Sequence, residues 1–447
     1  MIVTRIPPSP TGHLHIGTAR TALFNYLFAK KNGGKMVFRS EDTDKTRSTK
    51  EFENEIIEGL TWLGLTWDNS EIIRQSERAP IYREYLEKII TNGTAYISKE
   101  ESKNTPGQMV EVVRLKNPNK VITFNDLVRG DITFNTTELG DIVIARNLDD
   151  ALYHFTVVVD DHLMGVTHVI RGEDHISNTP RQILIQEAIG IERPIYAHLP
   201  LILASDRSKM SKRHGAVSLS SYKEAGYTKE AIINYLALLG WNPGTDRELF
   251  TLTELISEFD ITHIQKGGAV FDIKKFNWFN RQYLERYTAE EFLAYLEQNF
   301  PARLRELADF GNERLLRLIP SIRERIDTLA DFQTQCELGE YDFAFAAPTE
   351  YETTLLQWKN DDSVELAKPR LEKAISLLTD ADFSSPDTIK AALWPYAEEV
   401  GKGEIFWPLR IALSGKAQSP DPFTIAYIIG SAETIARIKT ACDKIGG

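Results

Sequence analysis

The chain has 447 residues, of which 42% are hydrophobic, only two cysteines and a formal net charge of −12. This length suggests about three domains with sizeable cores, while two cysteines exclude a disulfide framework and a cysteine-based zinc site and fit a reducing compartment. The first residues lack a basic start followed by a long apolar core and no later apolar run would span a bilayer, so a cytoplasmic protein with no membrane partner is expected.

A first strand is expected over 1–6, followed by the loop Pro7-Pro8-Ser9-Pro10-Thr11-Gly12-His13-Leu14-His15-Ile16-Gly17-Thr18 and a helix over 19–31, where Leu23, Tyr26, Leu27 and Lys30 share a face. A helix start presents unpaired N–H groups and partial positive charge, so it can receive phosphate. Gly12 and Gly17 remove side chains that would block a nucleotide, and His13 and His15 add donors. Taken alone, such a loop also fits a structural βα turn with two incidental histidines.

A second strand is expected over 36–39, leading into the acidic stretch Glu41-Asp42-Thr43-Asp44. Ser48 and Glu51 have capping-box spacing ahead of a helix lined by Phe52, Ile56, Leu60 and Leu63 and stopped by Gly64. Strand, helix, strand and helix at this spacing predict a parallel nucleotide-binding sheet. A helix over 80–90 then gives way to short strand-like runs across 94–150, which read as an insertion. The sheet is expected to resume with strands at 153–155 and 157–159, with Asp160-Asp161 as a turn or helix cap rather than a metal pair, because no further ligand has the right spacing. A strand over 166–170 follows, then Arg171-Gly172-Glu173-Asp174-His175 and a helix over 179–189.

The run 199–203 predicts a buried strand leading to Arg207, Lys209, Lys212 and Arg213, four cations in seven residues interleaved with Ser208, Met210 and Ser211. Such density repels itself unless an anion sits there, and the end of a sheet strand is where α/β proteins bind ligands. An isolated basic run would also fit a solvated face or a nucleic-acid patch. Paired with the histidine loop, it describes an ATP site. Helices are expected over 229–239, 252–259, 289–300 and 311–328, with Trp241-Asn242-Pro243-Gly244 as a break and 384–386 and 415–422 as interhelical loops. Trp278, Phe279, Trp394 and Trp407 suit either core packing or stacking on splayed bases.

In this order, Pro8-Ser9-Pro10-Thr11-Gly12, His15-Ile16-Gly17-Thr18, Arg39-Ser40-Glu41-Asp42-Thr43-Asp44, Trp62-Leu63-Gly64-Leu65, Asp160-Asp161-His162-Leu163-Met164-Gly165, Val169-Ile170-Arg171-Gly172-Glu173-Asp174 and Lys209-Met210-Ser211-Lys212-Arg213 resemble class I aminoacyl-tRNA synthetases, and closely the bacterial glutamyl-tRNA synthetases. The last third is similar more loosely, through its helices and the segment 408–415. The resemblance implies an α/β, Rossmann-like catalytic domain with a parallel sheet (1–93 and 151–204), split by a shortened acceptor-stem-binding insertion (94–150). A stem-contact domain carrying the basic loop (205–288) and all-α anticodon-binding domains (289–384 and 385–447) would follow.

By the same resemblance, Pro8, Ser9, Thr11, Gly12, His13, His15, Gly17, Thr18 and residues Lys209, Met210, Ser211, Lys212 and Arg213 bind ATP, with Lys212, Lys209 and His15 serving catalysis and Mg²⁺ held mainly through ATP oxygens. Arg5, Ser9, Glu41, Tyr153 and Arg171 match amino-acid-binding positions bordered by His175. A dicarboxylate substrate suits permanently charged, bidentate guanidinium groups. Pro7 departs from the family's small residue and removes a backbone donor. Zinc is not carried over, since 98–108 reads as a brief polar connection without cysteine.

The expected partners are L-glutamate and tRNA(Glu), with Arg410 a candidate for anticodon contact and a monomer as the working form. A net negative charge argues against RNA only weakly, because phosphate contacts depend on local cations. Rival readings are a glutaminyl-tRNA synthetase, whose anticodon part is built from β-barrels, and a tRNA-base glutamyl transferase, which would end near residue 300. A non-catalytic tRNA-binding relative would be expected to lose Lys212 or His15, and both are present.

Overall fold

A computed structural model describes residues 1–101, 107–210, 218–307 and 309–446. The chain divides into two compact units, Met1–Asn280 and Arg281–Gly447.

The first unit opens with β1 (Val3–Ile6), α1 (Ile16–Lys31), β2 (Lys35–Ser40), α2 (Lys50–Trp62), β3 (Ile73–Arg74) and α3 (Ala79–Thr91). The three strands pair in parallel, Val3 opposite Lys35 and Arg39 opposite Ile73. All four β1 residues are buried, as a strand covered on both faces requires. Burial on α1 extends well beyond one stripe, including Ala19, Ala22, Leu23, Phe24, Asn25 and Leu27, so the helix is a core element rather than the one-faced helix expected. Asn25 survives there because its amide donates to Thr21 and Ile170 carbonyls. α2 is capped by Thr49, which accepts the Phe52 N–H at 3.3 Å, not by Ser48. The Ser48 N–H is already taken by Asp44 O at 2.9 Å, which closes a turn just ahead of the helix. Gly64, at φ +77, supplies the left-handed stop.

The insertion contains β4 (Ala95–Glu101), β5 (Met109–Leu115), β6 (Val121–Asp126), β7 (Gly130–Asn135), β8 (Ile142–Asn147) and β9 (Asp150–Ala151). Strands β4, β5, β8 and β9 form one antiparallel sheet in that order. Residues 98–101, expected as a polar connection, continue β4 instead. Their polar character belongs to a solvated sheet face, with Lys99 paired to Glu111 at 3.3 Å across the register; residues 102–106 lie outside those described.

Beyond the insertion come α4 (Tyr153–Leu163), β10 (His168–Gly172), α5 (Thr179–Ile189), β11 (Ile195–Leu199) and β12 (Ile202–Leu203). The segment expected as strands at 153–159 is therefore a helix. A short apolar run does not distinguish a buried strand from a buried helix, and here Phe155, Val158 and Val159 share one core with Tyr82, Leu86 and Ile183. Burying each such side chain contributes about 1.5–3 kcal/mol, enough to override a β-branched preference. Pro200 splits the expected 199–203 strand into β11 and β12, since it has no N–H for a ladder.

β10 and β11 pair in parallel, His168 opposite Ile195, and the β6–β7 hairpin adds to β11 through Tyr196 and Asp126. The Thr167 N–H donates to Val3 O at 2.9 Å, which sets β10 beside β1. The unit continues with α6 (Leu219–Glu224), α7 (Lys229–Leu238), α8 (Leu252–Glu258), β13 (Ala269–Val270), which pairs with β12, and α9 (Ile273–Leu284).

The second unit carries α10 (Ala289–Glu297), α11 (Ala302–Arg305), α12 (Asn312–Arg323), α13 (Leu329–Glu337), α14 (Ala367–Leu378), α15 (Pro386–Val400), α16 (Lys402–Ser414), α17 (Pro422–Ile429) and α18 (Ser431–Gly446), and no strand among its described residues. One core joins them, including Phe292, Phe300, Leu318, Leu371, Leu409 and Ile425. α12 stops five residues short of the expected 328, because Thr328 starts the next helix through a capping box with Asp331. Phe279 is fully buried, whereas Trp278 is 37% exposed. Trp407 donates to Leu355 O at 2.8 Å, and Trp394 lies beside the Phe406 ring with the Lys402 ammonium 4.1 Å from its centroid.

Candidate active site

The carboxyl ends of β1 and β10, the start of α1, the start of α4 and the chain beyond β12 open onto one cleft of about 380 Å³. Arg5 comes from β1, Pro8 and Ser9 from the loop after it, and His15, Gly17 and Thr18 from the head of α1. Tyr153 comes from α4, Arg171 from β10, and Lys209 and Met210 from the basic loop.

His15 caps α1, its Nδ1 accepting the Gly17 N–H at 3.0 Å. A Cβ on Gly17 would sit 3.2 Å from that nitrogen, whereas one on Gly12 would meet open space, so protein packing crowds a side chain at Gly17 and not at Gly12. Both flanks of the basic loop return to this cap. Lys209 and Met210 line the cleft, Ser218 bridges to His15 in antiparallel fashion, and Leu219 N–H donates to Leu14 O at 2.8 Å. Ser211, Lys212 and Arg213 fall outside the described residues. Lys209 Nζ lies 3.0 Å from Asp174 at the cleft mouth.

Three residues expected at the nucleotide do not line the cleft. His13 is exposed and pairs with Glu55 at 2.6 Å while meeting Phe52 edge-on, so the chain turns it toward α2. Thr11 closes a turn onto Ser9 O at 2.8 Å, and Gly12 lies beyond it.

At the other end, Arg171 is 5% exposed and is held by neutral groups. Its Nη1 donates to Gln182 at 2.8 Å, its Nη2 to Thr179 at 2.9 Å and its Nε to His198 at 3.2 Å. Burial pushes its pKa down, the expected strain on a buried cation whose nearest acceptors carry no charge.

Arg5 sits differently, donating to Ile170 O at 3.1 Å with its Nε 3.5 Å from Asp161. Glu41 lines the cleft with one carboxylate oxygen already engaged, since Arg39 Nη2 donates to its Oε1 at 3.0 Å. Burial raises its carboxyl above the ordinary value of 4.5, against the pull of Arg39. Asp160 and Asp161 are neither a turn nor a cap. They occupy the last turns of α4, where Asp160 accepts from Gln75, Arg78 and Tyr82 at 2.9, 2.8 and 2.7 Å and Asp161 from Arg39 at 2.8 Å. Spacing within 153–161 gave no sign of these partners, which come from elsewhere in the sequence.

His175 Nδ1 lies 3.3 Å from the Tyr153 hydroxyl. Burial, with the Arg171 charge behind it, pushes its imidazole down to about 4. A depressed imidazole stays neutral through the physiological range, so His175 is expected to contribute no inflection near the ordinary histidine value, between about pH 5.5 and 7.5, to the pH dependence of activity in this cleft. A pH–rate profile checks this, and an inflection near 6.5 that vanishes in His175→Gln would contradict it.

Sequence reasoning missed Arg20, which lines the cleft from α1 with its guanidinium on the carbonyls of Leu239 and Pro200 and its pKa pushed to about 10 by burial, opposed by Glu173. It also missed Asp174, although the basic loop itself signalled the need for an anion. Among the described residues no group of three His, Cys, Asp or Glu is placed to hold a metal ion, and no helix is long and apolar enough to cross a membrane.

The family described as tRNA synthetases class I (E and Q), catalytic domain, matches residues 1–111 and 98–278, and an anticodon binding domain family matches 288–442. The glutamate–tRNA ligase of Carboxydothermus hydrogenoformans is 39% identical over 490 residues, covering 98% of this chain and 99% of its own. Glutamate–tRNA ligase 2 of Helicobacter acinonychis is 40% identical over 469 residues, covering 98% of each. A glutamate–tRNA ligase from Elizabethkingia meningosepticum, crystallised in complex with its amino acid, superposes with a TM-score of 0.87 at 31% identity over 99% of both chains. A glutamate–tRNA synthetase from Elizabethkingia anophelis gives 0.84 at 31% identity and the same coverage.

Proposed function

This chain belongs to the glutamate–tRNA ligases of the class I aminoacyl-tRNA synthetases, and we propose that its cleft activates L-glutamate with ATP and passes the glutamyl group to the 3′ end of tRNA(Glu). The observation that carries the substrate is Arg171, a buried guanidinium whose three hydrogen-bond partners are neutral. A substrate carboxylate would restore the balance; where that carboxylate is the side chain's, glutamate fits and the amide of glutamine does not.

In the first step an oxygen of the glutamate α-carboxylate attacks the α-phosphorus of ATP, the bond to the β-phosphate oxygen breaks, and pyrophosphate leaves with that electron pair. In the second, a terminal hydroxyl of the tRNA attacks the activated carbonyl, the carbonyl carbon's bond to the AMP phosphate oxygen breaks, and AMP departs with that electron pair while the hydroxyl proton passes to a phosphate oxygen of AMP. No protein nucleophile takes part; the chain supplies alignment and charge neutralisation. Arg171 and Arg5 receive a substrate carboxylate, Glu41 the ammonium, and Ser9 and Tyr153 add hydrogen bonds, with His175 at the border. The head of α1, with His15, Gly17 and Thr18, takes the nucleotide. Lys209, which holds Asp174 in the free cleft, exchanges that partner for the triphosphate, and Lys212 stabilises the departing pyrophosphate. Mg²⁺ would be held mainly through oxygens of ATP, where it would supply charge neutralisation at the phosphates.

Residues 1–93 and 151–204 form the catalytic fold in this reading, 94–150 the acceptor-stem insertion, 205–288 the stem-contact part, and 289–384 and 385–447 the anticodon-binding helices. Arg410 on α16, half-buried with its Nε itself buried, is the candidate anticodon contact through the terminal nitrogens of its guanidinium.

The test is ATP–pyrophosphate exchange with glutamate or glutamine, each with and without tRNA. Exchange should follow glutamate, and Lys212→Ala should slow it by about 10²–10³-fold while leaving the thermal midpoint within error. Exchange supported by glutamine alone would overturn the substrate, and an unchanged rate in Lys212→Ala would remove that lysine from the mechanism.

A further inference from the structure

Arg171 is supported by an arm that begins in the insertion. Asp126, the last residue of β6, and His198, on β11, are 1% and 0% exposed. The His198 Nδ1 lies 2.6 Å from Asp126 Oδ2, and its Nε2 lies 3.2 Å from both Arg171 Nε and Thr179 Oγ1. A guanidinium has only donors, so Nε2 must be the bare nitrogen and Nδ1–H must donate to Asp126. The carboxylate is itself anchored, accepting the N–H groups of Val128 and Arg129 at 3.0 and 2.8 Å and that of His198 at 3.0 Å. Burial pushes the imidazole down, consistent with a neutral ring that cannot present a second N–H to the arginine.

Arg171 has five N–H groups. Nε–H is received by His198, one Nη1–H by Gln182 and one Nη2–H by Thr179. Each terminal nitrogen therefore keeps one N–H for a ligand, the two-pronged arrangement that a carboxylate matches.

We infer that Asp126 and His198 are positioning residues for glutamate: Asp126 fixes the His198 tautomer, and His198 fixes the guanidinium plane of Arg171 for bidentate capture of a carboxylate. This rests on Arg171 being the partner of that carboxylate. A strand of the insertion thereby sets the geometry of the amino-acid site, through side chains that never touch the substrate.

Three variants read this out in aminoacylation with tRNA present, as the KM for glutamate against the KM for ATP. In Asp126→Asn the amide N–H meets Nδ1 and drives the proton to Nε2, setting it against the arginine's own N–H. In His198→Leu the acceptor is gone. Both should raise the glutamate KM by about tenfold, the scale of a lost hydrogen bond to a charged group, with the ATP KM within about twofold. His198→Gln, which places an amide oxygen near the Nε2 position, should return the glutamate KM to within about threefold of the parent. A merely structural role would lower the thermal midpoint and kcat without separating the two KM values.

An unchanged glutamate KM in folded His198→Leu, or equal effects on both substrates, overturns the inference. If Asp126→Asn does not fold, the leucine and glutamine variants decide alone. Arg171→Gln separates the two levels: if it leaves the glutamate KM unchanged, the carboxylate reading of Arg171 fails, whereas a raised KM there with none in His198→Leu refutes only the positioning role.

Discussion

Arg171→Gln is expected to lower kcat/KM for glutamate by about 10²–10³-fold, the consequence of removing one partner from a buried charge pair. The free protein should not pay for the change. Arg171 bears a buried charge whose hydrogen-bond partners are neutral, and burial already works against it, so the neutral side chain removes a desolvation cost. The thermal midpoint of the free protein is expected to hold or rise. Glutamate should shift that midpoint upward in the parent and leave the variant unmoved, because a ligand stabilises only the state that binds it. Steady-state kinetics and thermal shift with and without glutamate test both halves. A large fall in stability with intact glutamate kinetics would make Arg171 a structural residue and remove the main argument for a carboxylate in the cleft.

The opposite balance is expected at Arg39, the largest effect on stability in the catalytic unit. Arg39 is fully buried and donates to Asp161 at 2.8 Å and to Glu41 at 3.0 Å, with Asp160 3.8 Å away. Burial opposes its charge, but these three carboxylates more than offset that and hold the guanidinium ionised. Arg5 and Arg78 complete the set, on Asp161 and Asp160, so three cations face three anions.

Arg39→Met fills a similar volume and leaves the anions in excess. Breaking a buried pair in this way costs about 3–5 kcal/mol. The cost should depend on pH in a definite direction. Stripped of Arg39, the Glu41 carboxyl lies further above its unfolded value, so the folded variant binds more protons than the unfolded chain and loses stability as pH rises. Glu41 already lies above its ordinary 4.5 in the parent, so the deficit should open as pH climbs through and above that value. Thermal melts of parent and variant at about pH 5 and pH 8 test this, with the larger gap expected at the higher pH. A deficit independent of pH would mean that lost packing, not unpaired charge, sets the cost.

The order of motifs announced the catalytic unit because each depends on local chemistry. A Gly and His pair at the head of α1, an arginine at the end of β10 and a basic run after β12 carry their meaning in neighbouring residues. α5 and α7 were legible for a similar reason, since their periodicity and terminal signals lie within a dozen residues. The 153–159 segment was not, because a short β-branched run suits two structures and only the core it shares with α3 and α5 selects the helix.

The same distinction runs through the site. Residue types and their spacing along the chain pointed to a nucleotide-type loop and a second cationic loop, and the family resemblance added arginines that would suit a dicarboxylate. Tertiary structure decided which of those side chains face the cleft. It turned His13 to Glu55, tied Asp161 to Arg39, and joined Asp126 to Arg171 through His198. A hydrogen bond or ion pair between groups 27 to 122 positions apart leaves no periodic trace in the sequence. Its strength depends on burial and on the distance across the fold, and both come into being only when the strands and helices pack.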